Sequence, residues 1–219
     1  MKIKLLTHCV RQDWFNSTGV HSGYVIAGKL FLLFYCHGTL SMKFHPATLS
    51  DAARLSSVGK RSYHHHFARL WHSPEEMDEF VQRQFSVESI IASLTKPDSG
   101  WFWIEVAGEA VGLCQVNWAL SVAENRPDGA YLNKIYILPE HTGKGYGSEV
   151  FAQVEAFCRQ KKKAYYWLEV LKDNPGATQF YQRQGFTLLR EELFASPSQQ
   201  SVIYVMTKSL AETTSTAAV

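Results

Sequence analysis

The sequence has little net charge. Its 22 Lys and Arg against 20 Asp and Glu leave a formal +2, too small a bias to argue for nucleic acid as a partner. What imbalance exists lies in residues 1–41, where Lys2, Lys4, Arg11 and Lys29 face Asp13 alone. Cysteine is also scarce: Cys9, Cys36, Cys114 and Cys158 form no CxxC pair, so neither a zinc site nor a disulfide framework is suggested. A reducing compartment, the cytoplasm, is the expected setting. Long apolar runs are missing as well. The longest, Leu30–Cys36, has seven residues, far short of the roughly 20 that a membrane helix needs. Twenty-eight mixed residues precede Lys29 and no small-residue cleavage site follows the run, a poor match to a secretory leader. No repeat of about 20–50 residues is present.

What remains is globular material. The 219 residues are 46% hydrophobic and 13% aromatic, enough for one core of ordinary size. Residues 1–41 show no clean helical or strand period and read as an N-terminal extension that folding does not need. Residues 42–210 read as the domain. Residues 211–219, mostly Ala, Thr and Ser, read as a disordered tail.

Within the domain, Lys43–Ala47 is expected as a strand, and Ser50 or Asp51 as the cap of a helix through Phe67, with Ala52, Ala53, Leu55 and Val58 inward. Ser73, Pro74 and Glu76 form a helix start with a capping box, and Met77, Phe80 and Val81 its apolar stripe. Ser86 opens a further helix to Leu94. Trp101–Ala107 and Ala110–Leu120 flank Gly108-Glu109, a two-residue hairpin turn. A third strand, Ala130–Leu138, runs into a glycine-rich loop and a helix with Val150, Phe151, Val154, Phe157 and Cys158 inward. Tyr165–Leu171 is apolar nearly throughout, as a central strand covered on both faces would be. Asn174 and Pro175 start a helix that Gly185 ends. Phe186–Phe194 and Ser201–Thr207 complete the series. The expected fold is α/β: a mixed, mostly antiparallel sheet of six or seven strands, flanked by four main helices.

The loop carries the chemistry. A strand, a glycine turn and a helix start make an anion site, because the first-turn N–H groups are unpaired and the helix dipole favours negative charge. Gly143, Gly145 and Gly147 let the backbone wrap a phosphate. Two other phosphate motifs do not fit. A P-loop needs glycine where Leu138 stands and Ser or Thr where Gly145 stands. A dinucleotide fingerprint needs glycine where Ser148 stands.

The run Ile135–Ser148 resembles motif A of the GCN5-related N-acetyltransferase (GNAT) family. Leu168–Asn174, Ala177 and Phe180–Phe186 resemble its motif B, and Pro46–Ala52 its usual first strand and helix. The resemblance covers residues 42–210. Thr142 departs from the family's usual Arg or Gln there. Within the family, Phe67, Ser73–Met77, Phe102–Ile104 and the ending from Ile203 to Leu210 look like the spermidine/spermine N-acetyltransferase branch.

The resemblance implies acetyl-CoA as co-substrate and no metal. Its pyrophosphate would meet Thr142, Gly143, Lys144, Gly145, Tyr146, Gly147 and Ser148. Its pantetheine arm would pair with a strand edge at Ile135, Tyr136 and Ile137, and Asn174 would lie near the acyl end. Tyr181 resembles the family's general acid for the departing thiolate. Many relatives carry a general-base Glu on the fourth strand, where this chain has Tyr131 and Asn133, so Glu169 is the candidate base, with Glu105 next. The implied acceptor is the primary amine of a small molecule, a polyamine first, whose remote ammonium Glu75, Glu79 or Glu105 would hold. An acyl-CoA-binding sensor without catalysis, or an acetyltransferase of a peptide or protein amine, is the alternative. No membrane or nucleic-acid partner is expected, and the family commonly forms homodimers. His64, His65 and His66 are consecutive on a helix and point to different faces, which suits a surface better than a metal.

Overall fold

The computed structural model describes residues 42–123, 126 and 129–210. The expected extension, the tail and most of the Glu124–Asp128 loop lie outside the described residues.

The chain opens with β1 (Met42–Pro46), followed by α1 (Ala52–Phe67), α2 (Pro74–Phe85) and α3 (Val87–Leu94). Three strands come next: β2 (Ser99–Val106), β3 (Glu109–Asn117) and β4 (Gly129–Ile137). Then α4 (Tyr146–Gln160), β5 (Tyr165–Leu171), α5 (Pro175–Arg183), β6 (Thr187–Ala195) and β7 (Gln200–Ser209) follow. The order is the one the sequence predicts, including the short helix α3 that Ser86 caps where α2 ends.

Side-chain caps start three helices as expected. Ser73 Oγ accepts from Glu76 N at 3.2 Å, Ser86 Oγ from Ser89 N at 3.1 Å, and Asn174 Oδ1 from Ala177 N at 3.2 Å. Each satisfies a first-turn donor that the helix itself cannot. At the start of α1, Asp51 holds the expected N-cap position, but its side chain makes no cap bond to the helix. Thr48 N and its hydroxyl both donate to Asp51 Oδ2, at 2.7 and 2.8 Å, so Asp51 folds back on Thr48 through a short 3-10 turn. Ala53, expected inward, is exposed, and Gly59, Ser62 and Tyr63 face the interior instead. Gly59 is required there: a Cβ would lie 2.3 Å from the Phe85 ring.

The hairpin turn between β2 and β3 is Ala107-Gly108, one residue earlier than expected. Both residues have left-handed backbones, φ +53° and +82°, while Val106 pairs with Glu109. Two positive φ values match the right-handed twist of the flanking strands.

The seven strands form one sheet in the order β1-β2-β3-β4-β5-β7-β6. Only β4 and β5 run parallel; every other neighbouring pair is antiparallel. Helices α4 and α5 pack their buried residues on one face with Ile104, Leu132 and Leu168. Helices α1 to α3 cover the other with Trp101, Leu113 and Tyr136. All residues of β4 and β5 are buried, as two-sided cover demands. Among the described residues, no helix is long and apolar enough to cross a membrane.

Candidate active site

Strands β4 and β5 pair only at Gly129, Ala130 and Tyr131 with Tyr165, Tyr166 and Trp167. Beyond those positions the two strands part. The cause lies on the β3 side of β4. Gln115 pairs with Lys134 and Val116 with Leu132, leaving Asn133 as an extra residue. Such a bulge bends its strand and raises the local twist. Leu132 and Ile135 therefore face the same apolar cluster although three positions apart. Asn133 and Lys134 turn toward each other on the α1–α3 face, with Asn133 Oδ1 at 3.2 Å from Lys134 Nζ. Past the bulge, the β5 side of Ile135–Ile137 has no strand partner.

One hydrogen bond crosses the gap. Tyr131 stacks on Trp167, centroids 4.1 Å apart, and its hydroxyl donates to Glu169 Oε2 at 3.1 Å. Glu169 is a buried carboxylate on β5, two residues past the last paired position.

At its end β4 runs into the glycine loop. Thr142 Oγ1 donates to Pro139 O at 2.9 Å, and Arg61 of α1 holds Glu140 at 2.6 Å. Gly143 and Gly145 have φ of +75° and +83°, a conformation that side chains resist. Gly145 is also the N-cap of α4 and carries no capping side chain. The first-turn N–H groups of α4 are thus left for an outside acceptor. Beside them opens a cleft of about 360 Å³ whose wall includes Ile135, Ile137, His141, Lys144 and Phe180.

The structure sorts the expected site residues. Ile135, Ile137, Thr142, Gly143, Lys144, Gly145, Tyr146 and Gly147 line the cleft. Tyr136 does not: its ring packs on Tyr63, Phe67 and Phe85 on the opposite face. Ser148 Oγ accepts from Gln184 Nε2 at 3.1 Å, and Asn174 caps α5. Tyr181 is fully buried, its ring against Phe151 and Phe186. Each of the three acids expected as candidates for a remote ammonium already has a partner. Glu75 accepts from Ser73 Oγ at 2.7 Å, and this bond holds its carboxyl below the usual range. Glu79 pairs with Arg83 at 3.5 Å on the outer side of α2. Glu105 pairs with His45 at 3.2 Å on β2, with β3 between it and β4. The three histidines diverge as expected: His66 bonds Ile137 O at 2.9 Å, while His64 lies 3.7 Å from Asp78.

Sequence reasoning missed Lys134. It is 3% exposed, and burial pushes its ammonium down to about 7. Its Nζ donates to Gln115 Oε1 at 2.9 Å, and to Gln84 Oε1 and Asn133 Oδ1 at 3.2 Å each. The one signal in the sequence is a lysine inside the otherwise uncharged run Ala130–Leu138.

Comparison with known proteins bears on this site. The sequence profile of the acetyltransferase (GNAT) family matches residues 62–186. An uncharacterized N-acetyltransferase of Lactobacillus delbrueckii is 26% identical over 141 residues, covering 63% of this chain and 80% of that protein. Among solved structures, the PaiA N-acetyltransferase of Thermoplasma acidophilum in complex with coenzyme A superposes with a TM-score of 0.63 at 19% identity. That match covers 77% of this chain and 99% of the other. The spermidine N-acetyltransferase of Vibrio cholerae in complex with CoA and spermine gives 0.56 at 17% identity, covering 77% and 95%. At these identities the structural matches establish the fold.

Proposed function

The chain belongs to the acetyltransferase (GNAT) family and is an N-acetyltransferase; from that premise we propose that the β4–β5 gap and the glycine loop hold acetyl-CoA, whose acetyl group passes to the primary amine of a small molecule. One observation carries this reading. A parallel strand pair parted after three residue pairs opens onto a helix start with no capping side chain. Coenzyme A is built to match, with an amide-bearing arm next to a pyrophosphate. The free edge at Ile135–Ile137 suits the arm's amides. The N–H groups between Gly143 and Ser148 suit the pyrophosphate, with the Lys144 ammonium beside them. A Cβ at Gly143 or Gly145 would meet nothing within 4 Å, so glycine serves here for its left-handed backbone, which aims those N–H groups.

Bound there, acetyl-CoA supplies an acetyl group activated as a thioester. The remaining work is proton handling. Glu169, held by Tyr131 across the gap, takes the proton from the incoming amine. Tyr181 donates a proton to the departing sulfur as the N–C bond forms and the C–S bond breaks. Its position supports the role: it packs in one cluster with Ile135 of β4 and Val170 of β5, behind the gap. The test is release of CoA thiol from acetyl-CoA across a panel of amines, beside calorimetric titration with acetyl-CoA.

The loop is open to a direct check. Gly145→Val places a branched side chain at φ +83°, which costs about 1–2 kcal/mol per residue and turns the N–H groups away. Acetyl-CoA affinity should fall about tenfold or more, and the melting temperature by several degrees, as that strain requires; each factor of ten in affinity is about 1.4 kcal/mol. Unaltered affinity would place the phosphates elsewhere. Residues 1–41 are proposed as dispensable, since the family match lies beyond them. A chain beginning at Met42 should fold and keep its acetyl-CoA affinity, and failure to fold would refute this. A cytoplasmic setting fits the buried thiol of Cys158 and the low cysteine content of the sequence.

A polyamine is the acceptor subclass expected from the sequence. The shared fold of the Vibrio cholerae enzyme and the acidic first turn of α2 speak for it. Against them stands the partner that each of Glu75, Glu79 and Glu105 already has.

A further inference from the structure

Buried lysines are ordinarily matched by a carboxylate, because an uncompensated charge away from water is costly. Lys134 is not matched in this way. Its three partners are neutral amide oxygens, and the rings of Phe85 and Trp101 flank it, each 5.6 Å from Nζ. No ion pair to Lys134 occurs among the described residues.

Beside it lies an open pocket of about 520 Å³, lined in part by Gln84, Lys96, Gln115, Asn117, Asn133 and Lys134. None of its lining residues is acidic. The orientation of the amides follows from the ammonium, which can only donate. With their oxygens on Lys134, Gln84 and Asn133 point their NH₂ groups away from it, and neither donates a hydrogen bond among the described residues. Gln115 spends its NH₂ on Ser93 Oγ at 2.9 Å. The pocket therefore offers N–H donors, the Lys96 ammonium and a buried lysine that a bound carboxylate would hold protonated. Such a set repels a polycation and suits a carboxylate. Its position ties it to the reaction, since Asn133 is the bulge residue at which β4 leaves β5.

We propose that this pocket binds the carboxylate of the acceptor, so that the amine acetylated belongs to an amino carboxylate, such as a free amino acid, rather than to a polyamine. The proposal rests on the N-acetyltransferase reading above and names its acceptor class. An acceptor carboxylate would complete the ion pair that Lys134 lacks. Asn133 and Gln84 would orient it, and the amine would lie toward the gap between Lys134 and Glu169.

The experiment compares matched acceptors in the thiol-release assay with the full chain: L-leucine against isoamylamine, L-phenylalanine against phenethylamine, and spermidine. The expected result is a kcat/KM at least about tenfold higher for the amino carboxylate of each pair, equivalent to about 1.4 kcal/mol. Lys134→Gln should collapse that ratio toward unity through acceptor KM. Lys96→Gln, at an exposed position, should reduce it in part, and it guards against a Lys134 variant that fails to fold. Equal turnover within each pair, preference for spermidine, or a ratio untouched by both substitutions overturns the carboxylate site while leaving acetyl transfer standing. No thiol release with any acceptor, despite tight acetyl-CoA binding, overturns the enzymatic reading on which the proposal rests.

Discussion

Tyr181→Phe should lower kcat for acetyl transfer by about a hundredfold or more, the range that a positioned general acid contributes, with acetyl-CoA affinity unchanged. The substitution removes one oxygen. The ring keeps its contacts with Phe151 and Phe186, at 5.6 and 5.9 Å, so the core around it should hold its packing. The departing thiolate would then have to find its proton in solvent. Thiol release and calorimetric titration on the same preparation separate the two effects. A variant as fast as the parent would remove Tyr181 from the chemistry. A parent chain that binds acetyl-CoA tightly but never releases thiol would instead be an acyl-CoA sensor.

The second large effect concerns stability. Lys134→Met should stabilise the protein, and more so in mild acid than in alkali. In the folded chain burial lowers the lysine from its ordinary 10.5 to about 7. The sign follows from proton counting. Between about pH 7 and 10.5 the unfolded chain holds this proton and the folded chain does not. Unfolding then takes up a proton, and stability rises with pH across that window. Below pH 7 both states are protonated and the folded state carries the full cost of the buried charge. That cost is at most about 5 kcal/mol, at about 1.4 kcal/mol per pKa unit. The Gln84, Gln115 and Asn133 oxygens lose a donor in the variant, and each lost bond returns about 1 kcal/mol. A net gain of about 1–3 kcal/mol at pH 6 remains, worth several degrees of melting temperature in a domain of this size. Melting curves of parent and variant at pH 6 and pH 9 decide the matter. An equal loss at both would make Lys134 a structural pin.

That residue also marks where sequence reading ran out. The order of strands and helices follows from features read locally: the caps at Ser73, Ser86 and Asn174, the apolar stripe of α4, the continuous apolar run of β5. The glycine loop was legible for the same reason, as its chemistry lies in consecutive residues. The hairpin was misplaced by one residue because Ala107 gives no local sign of a positive φ; the register of β2 against β3 imposes it. β3 was read three residues too long, since Trp118–Leu120 are apolar but follow its last pair, Ser99 with Asn117. Asp51 takes the N-cap position of α1 as expected, but its carboxylate is spent on Thr48, which opens a 3-10 turn ahead of the helix. Lys134 was invisible for a different reason. Its environment is assembled from Gln84 on α2, Gln115 on β3 and a bulge whose existence depends on strand register. None of these is coded near position 134.

The parting of β4 from β5 has a mechanical consequence. It makes the sheet two stiff plates joined along a short seam. Strands β1–β4 form one antiparallel plate and β5–β7 the other, and only three residue pairs stitch them together at one end. Each plate is cross-linked by ladders along much of its length, so deformation concentrates at the seam, which works as a hinge with its free ends at the glycine loop. The core clusters span both plates from the two faces. A ligand lying along the gap and bonded to both strands would act as the missing rungs, turning a hinged pair into a single plate. Slow amide exchange at Ile135 and Ile137 would then report on occupancy rather than on the fold itself.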